Sequence, residues 1–176
     1  RVTEQSSDAQ RANDKTFRAK LSADADLYGK VQLSVFEPNA IQVAPAGSAD
    51  VVLTFRNVHN WAKAGTADGM FKAFYGALKS GGVLGVVEHR AKPGTTFERQ
   101  IDSGYMTEAY VTETAQKVGF KLDNKSEINA NPRDTADYPG GVWTLPPTLR
   151  NVADAQKPKY LAIGESDRMT LKFVKP

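Results

Sequence analysis

Apolar positions along the chain change period several times, and the changes mark out its elements. Residues 6–28 are mostly polar, with Phe17, Leu21 and Leu27 as a thin apolar face, and predict a helix capped by Ser6, Ser7 or Asp8. KVQLSVFE, residues 30–37, alternates Val31, Leu33 and Val35 with polar partners and predicts a strand ended by Pro38. DVVLTF, residues 50–55, is a continuous apolar run, the pattern of a strand buried on both faces of a parallel sheet. Residues 66–79 predict a helix with Thr66 as cap and Met70, Phe71, Phe74 and Leu78 as its buried stripe, stopped by Ser80-Gly81-Gly82. VLGVVEH then predicts a second buried strand.

Residues 91–106, with Pro93, Gly94 and Gly104, are expected to be loop. Residues 107–118 predict a helix with Tyr110, Val111, Thr114, Ala115 and Val118 on one face, closed by Gly119. FKLDNKSEI predicts a strand showing Phe120, Leu122 and Ile128 on one side. Residues 129–164 are rich in Pro, Gly and Asn, the composition of a binding loop or lid, and Tyr138 and Trp143 argue against disorder there. RMTLKFV, residues 168–174, alternates as a last strand. The order α β β α β α β β implies right-handed crossovers and a largely parallel sheet, with the last two strands pairing across a long loop.

Composition narrows the function classes. At 176 residues the chain fits one domain, residues 1–176. Lys and Arg number 23 against 20 Asp and Glu, and no run of five or six basic residues occurs, so no nucleic-acid partner is expected. The absence of cysteine excludes disulfides, thiolate metal sites and cysteine nucleophiles. No apolar stretch approaches the roughly 20 residues that span a bilayer.

ALKSGGVLGVVEH, residues 77–89, resembles the "LKPGG" turn and following strand of class I S-adenosylmethionine (SAM)-dependent methyltransferases, with Ser80 where Pro is commoner. SADVVLTFRNVHNW, residues 48–61, is similar to the fourth strand of that fold and the motif after it. FRNVHNW, VVEHRA, SEINANP, YPGGVWTLPPTLR and YLAIGESDRM together resemble a group of bacterial predicted methyltransferases. The resemblance implies a Rossmann-like α/β sheet, mostly parallel, with its last strand antiparallel beside the fifth. It implies SAM as cofactor and a small-molecule acceptor. It leaves open the oligomeric state, and a cytoplasmic or an exported location in a bacterium.

One feature of the family is missing. The glycine-rich turn that brings backbone close to the cofactor has no counterpart before Lys30, and the pairs Gly81-Gly82 and Gly140-Gly141 lie elsewhere. The resemblance therefore implies a domain incomplete at its N-terminus, lacking the first two strands, with residues 50–55 short of a neighbour on one side.

Ligands of open α/β sheets bind at the carboxyl ends of strands. The two histidines of the chain fall at two such ends. His59 is a candidate general base, the alternative being a loop histidine that bonds only backbone. Glu88 and His89 are a candidate base and orienter, the alternative being a salt bridge with Arg90 or another surface charge. The resemblance makes Glu37, Arg56 and Asn57 candidates for the cofactor side. Asn60, Trp61, Glu127, Asn129, Tyr138 and Trp143 are candidates for the substrate side, and Glu165, Asp167 and Arg168 precede the last strand. No metal is expected, because no recognised ligand spacing is present. A non-catalytic binding module on the same fold is the second expectation, and a hydrolase ranks last because no G-x-S-x-G elbow exists.

Overall fold

Four of the expected strand segments form one sheet in a computed structural model, which describes residues 8–33 and 42–176, with the side chains of residues 8–11 excepted. The chain divides into two compact units, Arg1–Val43 and Ala44–Pro176.

In the first unit the expected single helix is two: α1 (Asp8–Ala23) and α2 (Ala25–Tyr28). Asp24 separates them because its carboxylate accepts the Leu27 N–H at 2.9 Å, restarting the helix as an N-cap. Residues 31–33 do not form a strand. The rest of the expected strand, with Glu37, lies outside the described residues.

The second unit runs β1 (Ala49–Phe55), α3 (Val58–Lys63), α4 (Ala67–Ala77), β2 (Leu78–His89), α5 (Phe97–Ser103), α6 (Glu108–Lys117), β3 (Lys121–Ser126), α7 (Lys157–Ile163) and β4 (Arg168–Val174). Short 3-10 turns at Gly141–Thr144 and Asp154–Gln156 break up the long connection before α7. Strand order is β1-β2-β4-β3. β1 and β2 are parallel, and β4 is antiparallel to both β2 and β3. The last strand is inserted antiparallel beside β2, as expected, whereas of the three pairings in this sheet only β1 with β2 is parallel. Among the described residues, no helix is long and apolar enough to cross a membrane.

Alternation along the strands decides what is buried. On one face Leu84, Val86 and Glu88 of β2 stand opposite Phe173, Leu171 and Met169 of β4, and all six are buried. α4 contributes Met70, Phe71 and Phe74 to the core beside them. β1 corrects the expectation of burial on both faces. Thr54 is buried, whereas Val51, Leu53 and Phe55 are 55%, 60% and 55% exposed. β1 is the edge strand of this sheet and pairs only with β2 among the described residues.

Other expectations also shift. Ser80-Gly81-Gly82 does not end α4. The helix stops at Ala77, and β2 starts at Leu78, which pairs with Ala49. An irregularity after Ala49 absorbs the extra residues, and Gly81 takes φ 78° while its N–H donates to the Lys175 carbonyl. Residues 91–106 contain α5, capped by Thr96, whose side chain accepts from Arg99 N–H. Ile128 lies past the end of β3 and is 83% exposed, so it does not continue the expected apolar side.

Candidate functional site

The carboxyl ends of β1 and β2 and the start of β4 surround a cleft of about 310 Å³. After β1 the chain turns at Arg56, whose N–H donates to the Val87 carbonyl at 2.7 Å. It then enters α3, which brings His59 back against the end of β2. β2 supplies Glu88 and His89 on alternate faces. Glu88 follows Leu84 and Val86 on the buried face and has no solvent exposure.

A carboxylate in that position requires compensation. Glu88 accepts three N–H bonds: its Oε2 from the His59 backbone at 3.1 Å, and its Oε1 from the His89 backbone at 2.8 Å and from His59 Nδ1 at 2.9 Å. With Nδ1–H given to Glu88, His59 Nε2 remains as the basic nitrogen of a ring that lines the cleft. The pairing expected from sequence, Glu88 with His89 side chain to side chain, is thus replaced by Glu88 with His59. The expected Glu88–Arg90 ion pair is not found either, because Arg90 turns to other carboxylates.

His89 occupies the cleft beside His59, with ring centroids 5.4 Å apart. Its Nδ1 shares a hydrogen with Ser166 Oγ at 2.6 Å. Burial lowers the His89 pKa to about 4. Glu88 opposes this shift, while His59, Arg56 and Arg168 add to it. His89 is therefore a neutral imidazole near pH 7.

Trp143 closes the cleft with its edge toward His59, ring centroids 6.1 Å apart. Its position depends on Gly141, which has φ 61° and whose added Cβ would sit 2.3 Å from the Ser103 carbonyl oxygen. Arg150 stacks over the Trp143 ring at 5.0 Å.

Of the other residues singled out by sequence, Arg56, Asn60, Glu165 and Arg168 line the cleft. Asn57 caps α3 on the exposed side, its Nδ2 donating to the Phe55 carbonyl. Trp61 packs edge-on against Phe74 at 5.5 Å. Tyr138 is buried against Tyr160, and its hydroxyl accepts the Thr135 N–H. Asn129 donates to Thr170 Oγ1. Glu127 binds Arg90 through both oxygens at 2.9 and 2.6 Å. None of Asn57, Trp61, Tyr138, Asn129 and Glu127 lines the cleft.

Arg90 is the centre of a second network. It donates from Nε and one terminal nitrogen to Asp167, from both terminal nitrogens to Glu127, and from one to Glu108. These bonds, Asp167 first, raise its pKa still further. Nearby, the buried Tyr105 hydroxyl donates to Asp134, and burial together with that carboxylate raises the phenol well above its usual range. Asp134 in turn accepts the Asp167 backbone N–H at 2.7 Å. Sequence reasoning missed Ser166, Tyr105 and Asp134. Ser166 lies between the charged Glu165 and Asp167, which drew attention instead.

The donor atoms of His59, Glu88 and His89 lie within 4.8 Å of one another, the scale of a cation site. The donor chemistry fits one poorly, because Glu88 already holds three N–H groups, two of them from the backbone, and a cation would have to displace the His59 proton.

No protein-family model matches this chain, and no curated protein matches it. Solved structures do match its fold. The [4+2]-cyclase SpnF is 16% identical with a TM-score of 0.59, covering 92% of this chain and 62% of the cyclase. A SAM-dependent methyltransferase from Mesorhizobium loti is 12% identical with a TM-score of 0.54, covering 91% of this chain and 76% of the enzyme. The mitomycin 7-O-methyltransferase MmcR is 14% identical with a TM-score of 0.53, covering 92% of this chain and 39% of the enzyme. This chain thus spans less than two thirds of the length of two of these three. The fold is that of class I SAM-dependent methyltransferases.

Proposed function

We propose that this chain forms the acceptor side of a SAM-dependent methyltransferase, in which His59 removes a proton from a small hydroxylated acceptor and Glu88 holds His59 in place. The observation that carries the reading is the 2.9 Å contact between His59 Nδ1 and Glu88 Oε1 at the strand ends of a methyltransferase fold. Bound SAM supplies an electrophilic methyl group. The protein's part is alignment and proton handling. An acceptor hydroxyl in the cleft gives its proton to His59 Nε2, and the imidazolium so formed lies against the Glu88 carboxylate. His89, kept neutral and tied to Ser166, serves as an uncharged wall that adds no competing proton. Asn60 and Trp143 shape the opening. A cleft of about 310 Å³ suits a small molecule.

The described residues fit the acceptor side and not the whole cofactor grip, since they contain no glycine-rich turn following a strand end. A second reading is a non-catalytic methyltransferase-like binding module on the same fold. A [4+2]-cyclase shares this fold, so the fold alone does not specify methyl transfer. Isothermal titration of SAM into the native protein separates the two. Binding, followed by acceptor-dependent formation of S-adenosylhomocysteine, supports the enzyme. Binding of neither SAM nor S-adenosylhomocysteine supports the module.

A further inference from the structure

The cleft is unevenly charged. Its lining carries two guanidinium groups, Arg56 and Arg168, and one carboxylate, Glu165. That carboxylate is already taken by Arg168 in an ion pair. His89 stays uncharged, and Glu88 is buried beneath, held by three N–H donors. Arg56 therefore faces the opening with no balancing group of its own. Among the described residues its side chain makes no hydrogen bond and no ion pair.

Backbone geometry supports the same point. Arg56 has φ 55°, the left-handed region, which is disfavoured for a non-glycine residue. Glycine or asparagine would turn the chain there at less cost. The chain nevertheless places a long cationic side chain at the strand end, one residue beyond β1, where ligands of such sheets bind. Strain of this kind concentrates where a side chain is needed in a set position. Arg168 adds a second feature. It stands directly across from His89 in the β2–β4 register, and its Nε is buried with no hydrogen-bond acceptor among the described residues.

We propose that the methyl acceptor carries an anionic group, a carboxylate or a phosphate ester, which Arg56 binds at the cleft rim with Arg168 behind it. A guanidinium presents paired donors that match the two oxygens of either group. Anchored there, the acceptor would present its hydroxyl to His59, which lines the same cleft. The inference rests on the methyltransferase reading for the word acceptor, but the anion site itself stands on the charges and geometry above. It assigns Arg56 to the acceptor and not to the cofactor.

The test uses the native protein without SAM, titrated calorimetrically with 4-hydroxybenzoate and with its uncharged methyl ester. The acid is expected to bind about tenfold more tightly than the ester. Arg56→Gln should erase that preference while leaving ester binding unchanged, and Arg56→Lys should keep part of it. Equal binding of acid and ester, no binding of the acid at millimolar concentration, or a preference that survives Arg56→Gln would each overturn the inference. So would an Arg56→Gln variant that loses S-adenosylhomocysteine and keeps its preference for the acid, because Arg56 would then hold the cofactor's carboxylate. If the protein prefers the acid through Arg56 yet never binds SAM, the anion site stands and the methyltransferase reading fails.

Discussion

Two polar networks begin two residues apart at the end of β2, at Glu88 and at Arg90. Glu88 faces inward, has no exposure, and is held by backbone N–H groups and one imidazole. Arg90 faces three carboxylates and spends five N–H bonds on them, which is every donor a guanidinium has. The first network leaves a basic ring nitrogen at a cleft. The second leaves no donor for any ligand. Charge density alone therefore does not mark the site: among the described residues the most heavily paired cation joins the residue before β4, α6 and the residues after β3, whereas Arg56, with no side-chain partner among those residues, lies where a ligand would enter. Saturation separates a fastening from a binding group.

The largest expected effect is at the first network. His59→Gln should lower kcat by about a hundredfold or more, since general-base contributions run from about 10² to 10⁴, and should cost about 1 to 3 kcal/mol of stability because buried Glu88 loses one N–H donor. Steady-state kinetics beside a thermal melt would check both. A variant that loses stability and keeps its rate would reverse the roles assigned to the two networks.

Acid tests the same cluster through stability. An unfolded histidine titrates near 6.5 and folded His89 near about 4, so between these values the unfolded chain binds the extra proton. The contribution is full above pH 6.5 and is lost as the pH falls through about 4, amounting to about 3 kcal/mol. Denaturation across that range should show the loss in the native protein, and His89→Gln should remove this part of it.

Arg90→Met sharpens the comparison from the other side. It should cost about 2 kcal/mol of stability, read from the denaturant midpoint, because Asp167 and Glu108 lose their shared cation while Glu127 relaxes into water. The rate measured well below the melting temperature should stay within about twofold, as expected for a residue that does not line the cleft. Glu88→Gln is expected to lower kcat by about tenfold, since the amide keeps the shape but no longer stabilises a positive ring. The smallest effect is the removal of divalent cations. A chelator should leave the rate unchanged, because Glu88 is already occupied by N–H donors.

Much of the sheet was legible in advance. Residues 50–55, 83–89, 120–128 and 168–174 are apolar or alternating runs bounded by polar residues, and each meets a strand of the observed order. The exposed side of β1 was not legible, because Val51, Leu53 and Phe55 read as core by composition alone. Helices α3 and α5 have six and seven residues, too short for a helical period to register. The site was half legible. His59, Glu88 and His89 stood out by their place at strand ends. Their pairing did not, because His59 and Glu88 are 29 residues apart and meet only once β1 and β2 are in parallel register. Adjacency in sequence favoured Glu88 with His89, but strand alternation sends those two side chains to opposite faces.

The most direct measurement is methyl transfer itself. Native protein and His59→Gln would be compared for S-adenosylhomocysteine formation from SAM, with 4-hydroxybenzoate as acceptor across a range of pH. The expected result is acceptor-dependent turnover by the native protein, and a variant that binds both ligands but turns over about a hundredfold more slowly at every pH where the native protein is active. Turnover by His59→Gln at the native rate, with the same pH profile, would contradict the role given to the His59–Glu88 pair.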